Sequence, residues 1–187
     1  MPRTIEKVPT QLPSAITSLK NMFTAASKFN QDISCWDVSH VTNMKLMFLG
    51  AIAFNQNISH WDVSNVTNMV GMFDLTLFNQ SISNWNTAKV TNMMGMFFYN
   101  SAFNQDISQW DAHVINMSYM FLTAKAFNQD ISPWNVSHVT NMDSMFEEAT
   151  SFNKDLSHWN INQVIEHDDF DSDAGFDSLS KLPHFKK

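Results

Sequence analysis

Apolar and polar residues follow two different rhythms that recur along most of the chain. In one copy of the first rhythm, Trp36 and Val38 alternate with the polar Asp37 and Ser39. Alternation with a period of two is typical of a β-strand that buries one face. This part of the pattern therefore predicts a short strand whose Trp and Val point into a core.

The second rhythm begins a few residues later. Met44, Met47, Phe48 and Ala51 are spaced i, i+3, i+4 and i+7, which is the apolar stripe of an amphipathic helix. The spacing predicts a helix of two to three turns after each strand. An apolar strand followed by an amphipathic helix indicates an α/β unit.

The two rhythms belong to an internal repeat of 24 or 25 residues. Residues 29–34 read FNQDIS, and close copies begin at 54, 78, 103, 127 and 152. A Trp follows seven residues after each Phe, and the Trp-to-Trp spacing alternates between 25 and 24. These tryptophans are Trp36, Trp61, Trp85, Trp110, Trp134 and Trp159.

A single strand and helix cannot bury so many apolar side chains, but stacked copies share a continuous core. The predicted fold is an α/β solenoid of about six 24–25-residue coils, each with one short strand and one short helix, and with a parallel sheet on one side. The repeats cover 19–165; 1–18 form an N-terminal cap or leader remnant, and 166–187 an acidic C-terminal cap. Open solenoid ends make association through the ends possible.

The full unit, F-N-Q-D-I-S-x-W-D-V-S-x-V-T-N-M-x-x-M-F-x-x-A, resembles the BspA-like surface-protein repeat, also called the mycoplasma-type lipoprotein repeat, and is similar to leucine-rich repeats in its strand segment. The resemblance covers about 145 of 187 residues. It implies a surface or secreted protein of a host-associated microbe that acts in adhesion. A cytoplasmic location stays open, because the first twenty residues contain no apolar signal-peptide core.

Composition narrows the classes of partner. The net charge is −7, and an acidic chain is poorly suited to nucleic acid or an anionic membrane. No apolar run reaches the ~18 residues needed to span a membrane, so no membrane insertion is expected. The one cysteine, Cys35, excludes an internal disulfide framework.

Motifs for catalysis are absent from the sequence: there is no nucleophile elbow, no glycine-rich phosphate loop and no metal-binding His pair. We therefore expect no enzyme activity, no cofactor and no metal site. Three alternatives carry less weight. They are ice binding by the recurring Thr column, a calcium loop in the acidic tail, and a platform of exposed indoles for sugar rings instead of a tryptophan core. If the indoles are buried, their N–H groups need acceptors, which we expect to be Ser or Asn carbonyls.

The asparagines that recur once per repeat have two interpretations. They form a binding array, or they satisfy backbone groups at the corners, and the pattern favours the second.

The positions on either side of each Trp are the candidate binding face, because they point away from the predicted core. They form two polar columns: Asp37, His60, Asp62, Asn84, Asn86, Gln109, Asp111, Asn135, His158 and Asn160. The expected function is a non-enzymatic binding or adhesion module that contacts a host protein or glycan. The alternative functions are a structural spacer in a surface assembly and an intracellular interaction scaffold. The alternative for the two polar columns is that they are an ordinary solvated surface without a ligand.

Overall fold

A computed structural model describes residues 7–110 and 113–185. Within these residues there is no α-helix and no β-strand, and the one regular element is the short 3-10 helix Leu179–Lys181. The predicted α/β solenoid with a strand and a helix in each coil is therefore wrong. The chain forms instead a stack of turn-rich repeats that are hydrogen-bonded to one another.

The segment predicted to be helical is a series of tight turns. The Met47 N–H donates to the Met44 carbonyl at 3.1 Å, and the Ala51 N–H donates to the Phe48 carbonyl at 2.8 Å. These bonds reach three residues back, not four as in an α-helix. Leu46 and Gly50 adopt φ of 56° and 67°, and a left-handed residue at the third position of a turn is typical of type II turns.

We call this segment the Met turn, residues 43–51 and their equivalents 18–26, 68–76, 92–100, 116–124, 141–149 and 166–174. The fourth and eighth residues of each one have positive φ, between 49° and 67°. They are Asn21, Ala25, Leu46, Gly50, Gly71, Leu75, Gly95, Tyr99, Tyr119, Thr123, Ser144, Glu148, Asp169 and Asp173. The same backbone therefore continues into the acidic tail, although the methionines do not.

Alternate amides of the Met turn point to the next repeat. The Met44, Leu46 and Phe48 N–H groups donate to carbonyls one repeat further along, at 2.8–3.0 Å. Strand-like pairing among the described residues is limited to one isolated parallel bridge per repeat, which joins Asn43 to Asn68 and continues through the equivalent residues from Ser18 to Glu166. The hydrogen bonds between repeats thus replace a sheet without forming one.

The segment predicted to be a strand also turns back on itself. The Trp36 N–H donates to the Ile33 carbonyl at 3.1 Å, and the Val41 N–H donates to the Val38 carbonyl at 2.8 Å. Two such turns bring Ile33, Trp36, Val38 and Val41 into the core, where all four are buried. The apolar pattern identified the buried residues correctly but not the backbone that buries them.

Two columns of phenylalanine rings form the centre of the core. Within one repeat, Phe48 stacks on Phe54 with ring centroids 3.9 Å apart. Between repeats, Phe48 stacks on Phe73 at 5.7 Å and Phe54 on Phe78 at 6.0 Å. The rings are within about 10° of parallel. In-register repeats thus place equivalent rings face to face, at distances within the usual range for aromatic pairs.

The tryptophans form a third buried column, which confirms the core interpretation over the sugar platform. Each is at most 7% exposed, and Trp85 and Trp110 are parallel within 4° with ring centroids 6.4 Å apart. The Trp85 N–H donates to the Ile58 carbonyl of the preceding repeat at 3.1 Å. Trp61, Trp110 and Trp134 also donate to the Ile carbonyl of the preceding repeat, and Trp36 donates to the Pro9 carbonyl, so the expected Ser or Asn acceptors are wrong.

Asparagine side chains satisfy backbone groups at two corners of the repeat. The Asn43 Oδ1 accepts a hydrogen bond from the Lys45 N–H at 3.0 Å. At the other corner, the Asn30 Oδ1 accepts from the Asn55 N–H of the next repeat, also at 3.0 Å. Both patterns recur in later repeats, so the structural interpretation of these asparagines is confirmed.

We expect Trp85→Ala to lower the free energy of unfolding by about 3–5 kcal/mol, because it leaves a large hole between stacked repeats. Trp85→Phe keeps a ring in the column but removes part of the indole volume and the bond to Ile58, so its cost is smaller, about 1–3 kcal/mol. Urea denaturation measures both. A Trp85→Ala protein that unfolds like the wild type contradicts a stabilising role for the tryptophan column.

Glu148 tests the left-handed backbone, because it is exposed and has φ of 55°. Glu148→Gly removes the left-handed strain but adds chain entropy to the unfolded state, and we expect a net gain of about 0.5–1 kcal/mol. The neighbouring Glu147 has no positive φ, so Glu147→Gly is the matched control and should destabilise by a similar amount. Equal destabilisation by both variants in urea denaturation contradicts the assignment.

Candidate functional site

The structure places the described members of both predicted columns on the surface. The column that precedes each Trp contains His60, Asn84, Gln109 and His158, and all four are exposed. The column that follows each Trp contains exposed residues too, namely Asp37, Asp62, Asn86, Asn135 and Asn160. Asp111 lies outside the described residues.

The column after each Trp has a structural role. The Asp62 Oδ1 accepts from the Ser64 N–H at 3.0 Å, and the Asn86 Oδ1 accepts from the Ala88 N–H at 3.1 Å. The same bond to the residue two positions on occurs at Asp37, Asn135 and Asn160. This is the Asx turn that Asp and Asn form readily. These side chains are therefore exposed but already engaged.

The hydrogen bonds of these turns also set the acidity of the aspartates. Bonds from the side chain and backbone of Ser64 lower the pKa of Asp62, and those of Ser39 lower the pKa of Asp37. A hydrogen bond to the ionised carboxylate favours the charged form. Both aspartates thus carry charge on this face at neutral pH.

The column before each Trp is less constrained. Among the described residues, His60, Asn84 and His158 have no side-chain hydrogen bond, and the Gln109 amide donates only to its neighbour Ser108 at 3.4 Å. These side chains therefore remain available to a partner. They also differ from repeat to repeat, whereas the Trp beside them does not.

A cleft lies at the N-terminal end of the stack, next to the columns beside the tryptophans. It has a volume of about 560 Å³ and is lined by Gln11, Leu12, Pro13, Ser14, Cys35 and Asp37. The Cys35 thiol donates to the Thr10 carbonyl at 3.0 Å. The thiol therefore has a backbone carbonyl, and not a base, as its hydrogen-bond partner.

The structure brings together two histidines whose proximity the sequence analysis missed. The rings of His113 and His138 lie 5.5 Å apart in adjacent repeats. The segment from Trp110 to Met117 is one residue shorter than in the other repeats. For this reason the sequence did not reveal that His113 and His138 occupy equivalent positions. Within the described residues no group of three His, Cys, Asp or Glu side chains is arranged to hold a metal ion. No helix there has the length and apolarity to cross a membrane.

A groove on the Met turns was also missed. We call it the glycine groove; it has a volume of about 280 Å³ and is lined by Leu46, Val70, Gly71, Asp74, Met94, Gly95, Phe98 and Tyr119. A signal for it exists in the sequence, since glycine replaces a larger residue at the same position of two consecutive repeats. That signal cannot be interpreted before the left-handed turns show that both glycines line one groove.

The stacked copies, shared ladders and repeated corners define a repeat protein. The family model for "Mycoplasma protein of unknown function, DUF285" matches residues 4–93 and 74–179. The two matches cover most of the chain, which therefore belongs to this family. No curated protein and no solved structure matches it.

The aspartates beside the tryptophans predict a specific acid sensitivity. A carboxyl with a lowered folded pKa stabilises the fold above its ordinary value of about 3.9, and that contribution is lost as the pH falls through the folded pKa. The double variant Asp37→Asn with Asp62→Asn keeps the turn, as Asn86 does naturally. We expect a small loss of stability at neutral pH, because the amide lacks the charge that these hydrogen bonds favour, and a shallower further loss as the pH falls from neutral through the acid range below about 4.

Urea denaturation across that pH range is the measurement. The control is Asp37→Ala with Asp62→Ala, which removes both turns and should reduce stability at neutral pH as well. If the Asn variant loses as much stability at neutral pH as the Ala variant, the charge and not the turn geometry matters.

Proposed function

We propose that this chain is a non-catalytic binding module, displayed on the cell surface or secreted, that contacts a host protein or glycan through the column preceding each Trp. The resemblance of the repeat sequence to BspA-like surface proteins supports the surface location and the adhesive role. Membership of a mycoplasma repeat family is in keeping with it.

The availability of the column before each Trp is the observation that carries the proposal. The Phe, Trp and Asn ladders each have a defined structural role, and the aspartates after each Trp hold Asx turns. His60, Asn84 and His158 have no comparable role among the described residues. Exposed polar side chains that vary on a rigid, periodic scaffold are suited to recognition.

A structural spacer is the second candidate. It is favoured by the column after each Trp, because the Asx turns explain why Asp or Asn recurs there without any ligand. The two candidates differ in one respect. A spacer keeps its function with any polar residue in the column before each Trp, whereas a binding module loses affinity when these residues change.

The test compares the wild type with the triple variant His60→Ala, Asn84→Ala, Gln109→Ala. The probes are a printed glycan array and a panel of purified host extracellular-matrix proteins. We expect at least one probe to bind the wild type. The triple variant should bind that probe at least about tenfold more weakly, a loss of about 1.4 kcal/mol or more. Melting temperatures should agree, since none of the three side chains bonds to the backbone.

The matched control changes exposed residues elsewhere in the repeat: Ser101→Ala, Thr150→Ala and Ser151→Ala, whose side chains make no hydrogen bond among the described residues. This control should bind like the wild type. Equal loss in both triple variants, or no probe bound by the wild type, favours the spacer. Charge reversal at Asp62 is a poorer test because it also removes the turn with Ser64.

A further inference from the structure

The glycine groove is formed by a local break in a column of side chains. The fourth residue of the Met turn is Leu46, Gly71, Gly95 and Tyr119 in four consecutive repeats. The two glycines place no side chain between those of Leu46 and Tyr119, although both glycines are themselves buried. The groove therefore crosses two repeats and has a wall at each end.

The two glycines contribute differently to the floor. A Cβ on Gly71 would lie 2.5 Å from the Leu46 Cδ2, so the leucine already leans over this residue. A Cβ on Gly95 would meet only the Phe98 Cβ, at 3.6 Å. A side chain therefore has more room above Gly95 than above Gly71, and this is the part of the groove that a ligand can fill.

Asp74 contributes an unpaired acceptor to this apolar surface. Its Oδ1 is buried and has no hydrogen-bond donor among the described residues. The equivalent residues in the adjacent repeats are the uncharged Leu49 and Phe98, and the other titratable group of the lining is the Tyr119 phenol. Burial raises the pKa of Asp74 to about 6. An orphaned buried carboxylate oxygen is costly and calls for an explanation.

The rings of the groove favour a cation. Phe98 and Tyr119 lie with ring centroids 6.4 Å apart, tilted by 66°. Aromatic faces attract ammonium groups, and a carboxylate pairs with them through charge-assisted hydrogen bonds. Val70, Leu46 and Met94 supply the apolar contact. A volume of about 280 Å³ is near the lower end of ligand pockets, which suits a small molecule.

We propose that the glycine groove binds a small protonated arylalkylamine or alkylamine, with its ammonium group beside the Asp74 carboxylate and its apolar part over Gly95. The ligand supplies the positive charge that no described residue provides to this carboxylate. This site is separate from the columns beside the tryptophans. A negative result for the groove therefore leaves the function proposed above unaffected, and the reverse also holds.

The test is a titration of the full chain with 2-phenylethylamine, followed by calorimetry or NMR. At about pH 7.5 we expect binding that weakens about tenfold at about pH 5, because only about one tenth of Asp74 is then ionised. 2-Phenylethanol has the same shape without the charge and should bind at least about tenfold more weakly. Asp74→Asn should show the same loss and remove the pH dependence.

Two matched variants separate the groove from general surface effects. Gly95→Leu fills the open floor with the side chain that Leu46 carries at the equivalent position, and it should abolish binding. Ser144→Leu and Glu147→Gln change the equivalents of Gly95 and Asp74 outside the groove and should bind like the wild type. Circular dichroism and melting curves verify that each variant is folded.

Three outcomes overturn the proposal. They are equal binding of the amine and the alcohol, binding that survives both Asp74→Asn and Gly95→Leu, and no binding of the amine at millimolar concentration. Recognition of lysine-containing peptides without recognition of the free amine would also overturn it, since the occupant would then be a side chain of a protein partner.

Discussion

The left-handed backbone at two positions of every Met turn determines how this molecule is connected. A right-handed helix would direct every amide along its own axis, whereas the turns at Leu46 and Gly50 release alternate amides towards the next repeat. Left-handed φ is unfavourable for residues other than glycine, and here it occurs at Leu75, Tyr99 and Thr123 as well. Such strain persists only where the surroundings fix it, and the bonds between repeats are what fix it here.

The requirement for register follows from those bonds. Because each repeat offers its amides to the carbonyls of the next, equivalent residues must lie directly over one another. Phe48 then meets Phe73, Trp85 meets Trp110, and Asn30 meets the backbone of Asn55. A residue type that packs well with its own copy is therefore repeated, which accounts for the high content of Phe, Met and Trp. No single repeat retains its core or its backbone bonds in isolation.

The sequence predicted the period, the buried residues and the exposed columns, but it did not predict the backbone. Apolar spacing of i, i+3, i+4 and i+7 at Met44 to Ala51 fits a helix and a chain of turns equally, because both bring every third or fourth residue to one side. The sign of φ at Leu46 leaves no trace in that spacing. The acceptor of the Trp85 indole and the glycine groove depend on that same backbone, so neither could be derived from the pattern.

The ladders also indicate where function has room to reside in a protein of this kind. A position that is filled identically in every repeat, such as Trp85 or Asn30, is explained by contact with its own copies. Chemistry that the fold does not need can appear only where neighbouring copies differ. His60 and Asn84 differ at an exposed position without a bonding role, and Gly95 interrupts a column in the groove that Asp74 and Tyr119 also line. The irregular positions of the repeat, and not its consensus, therefore hold the features that a ligand can recognise.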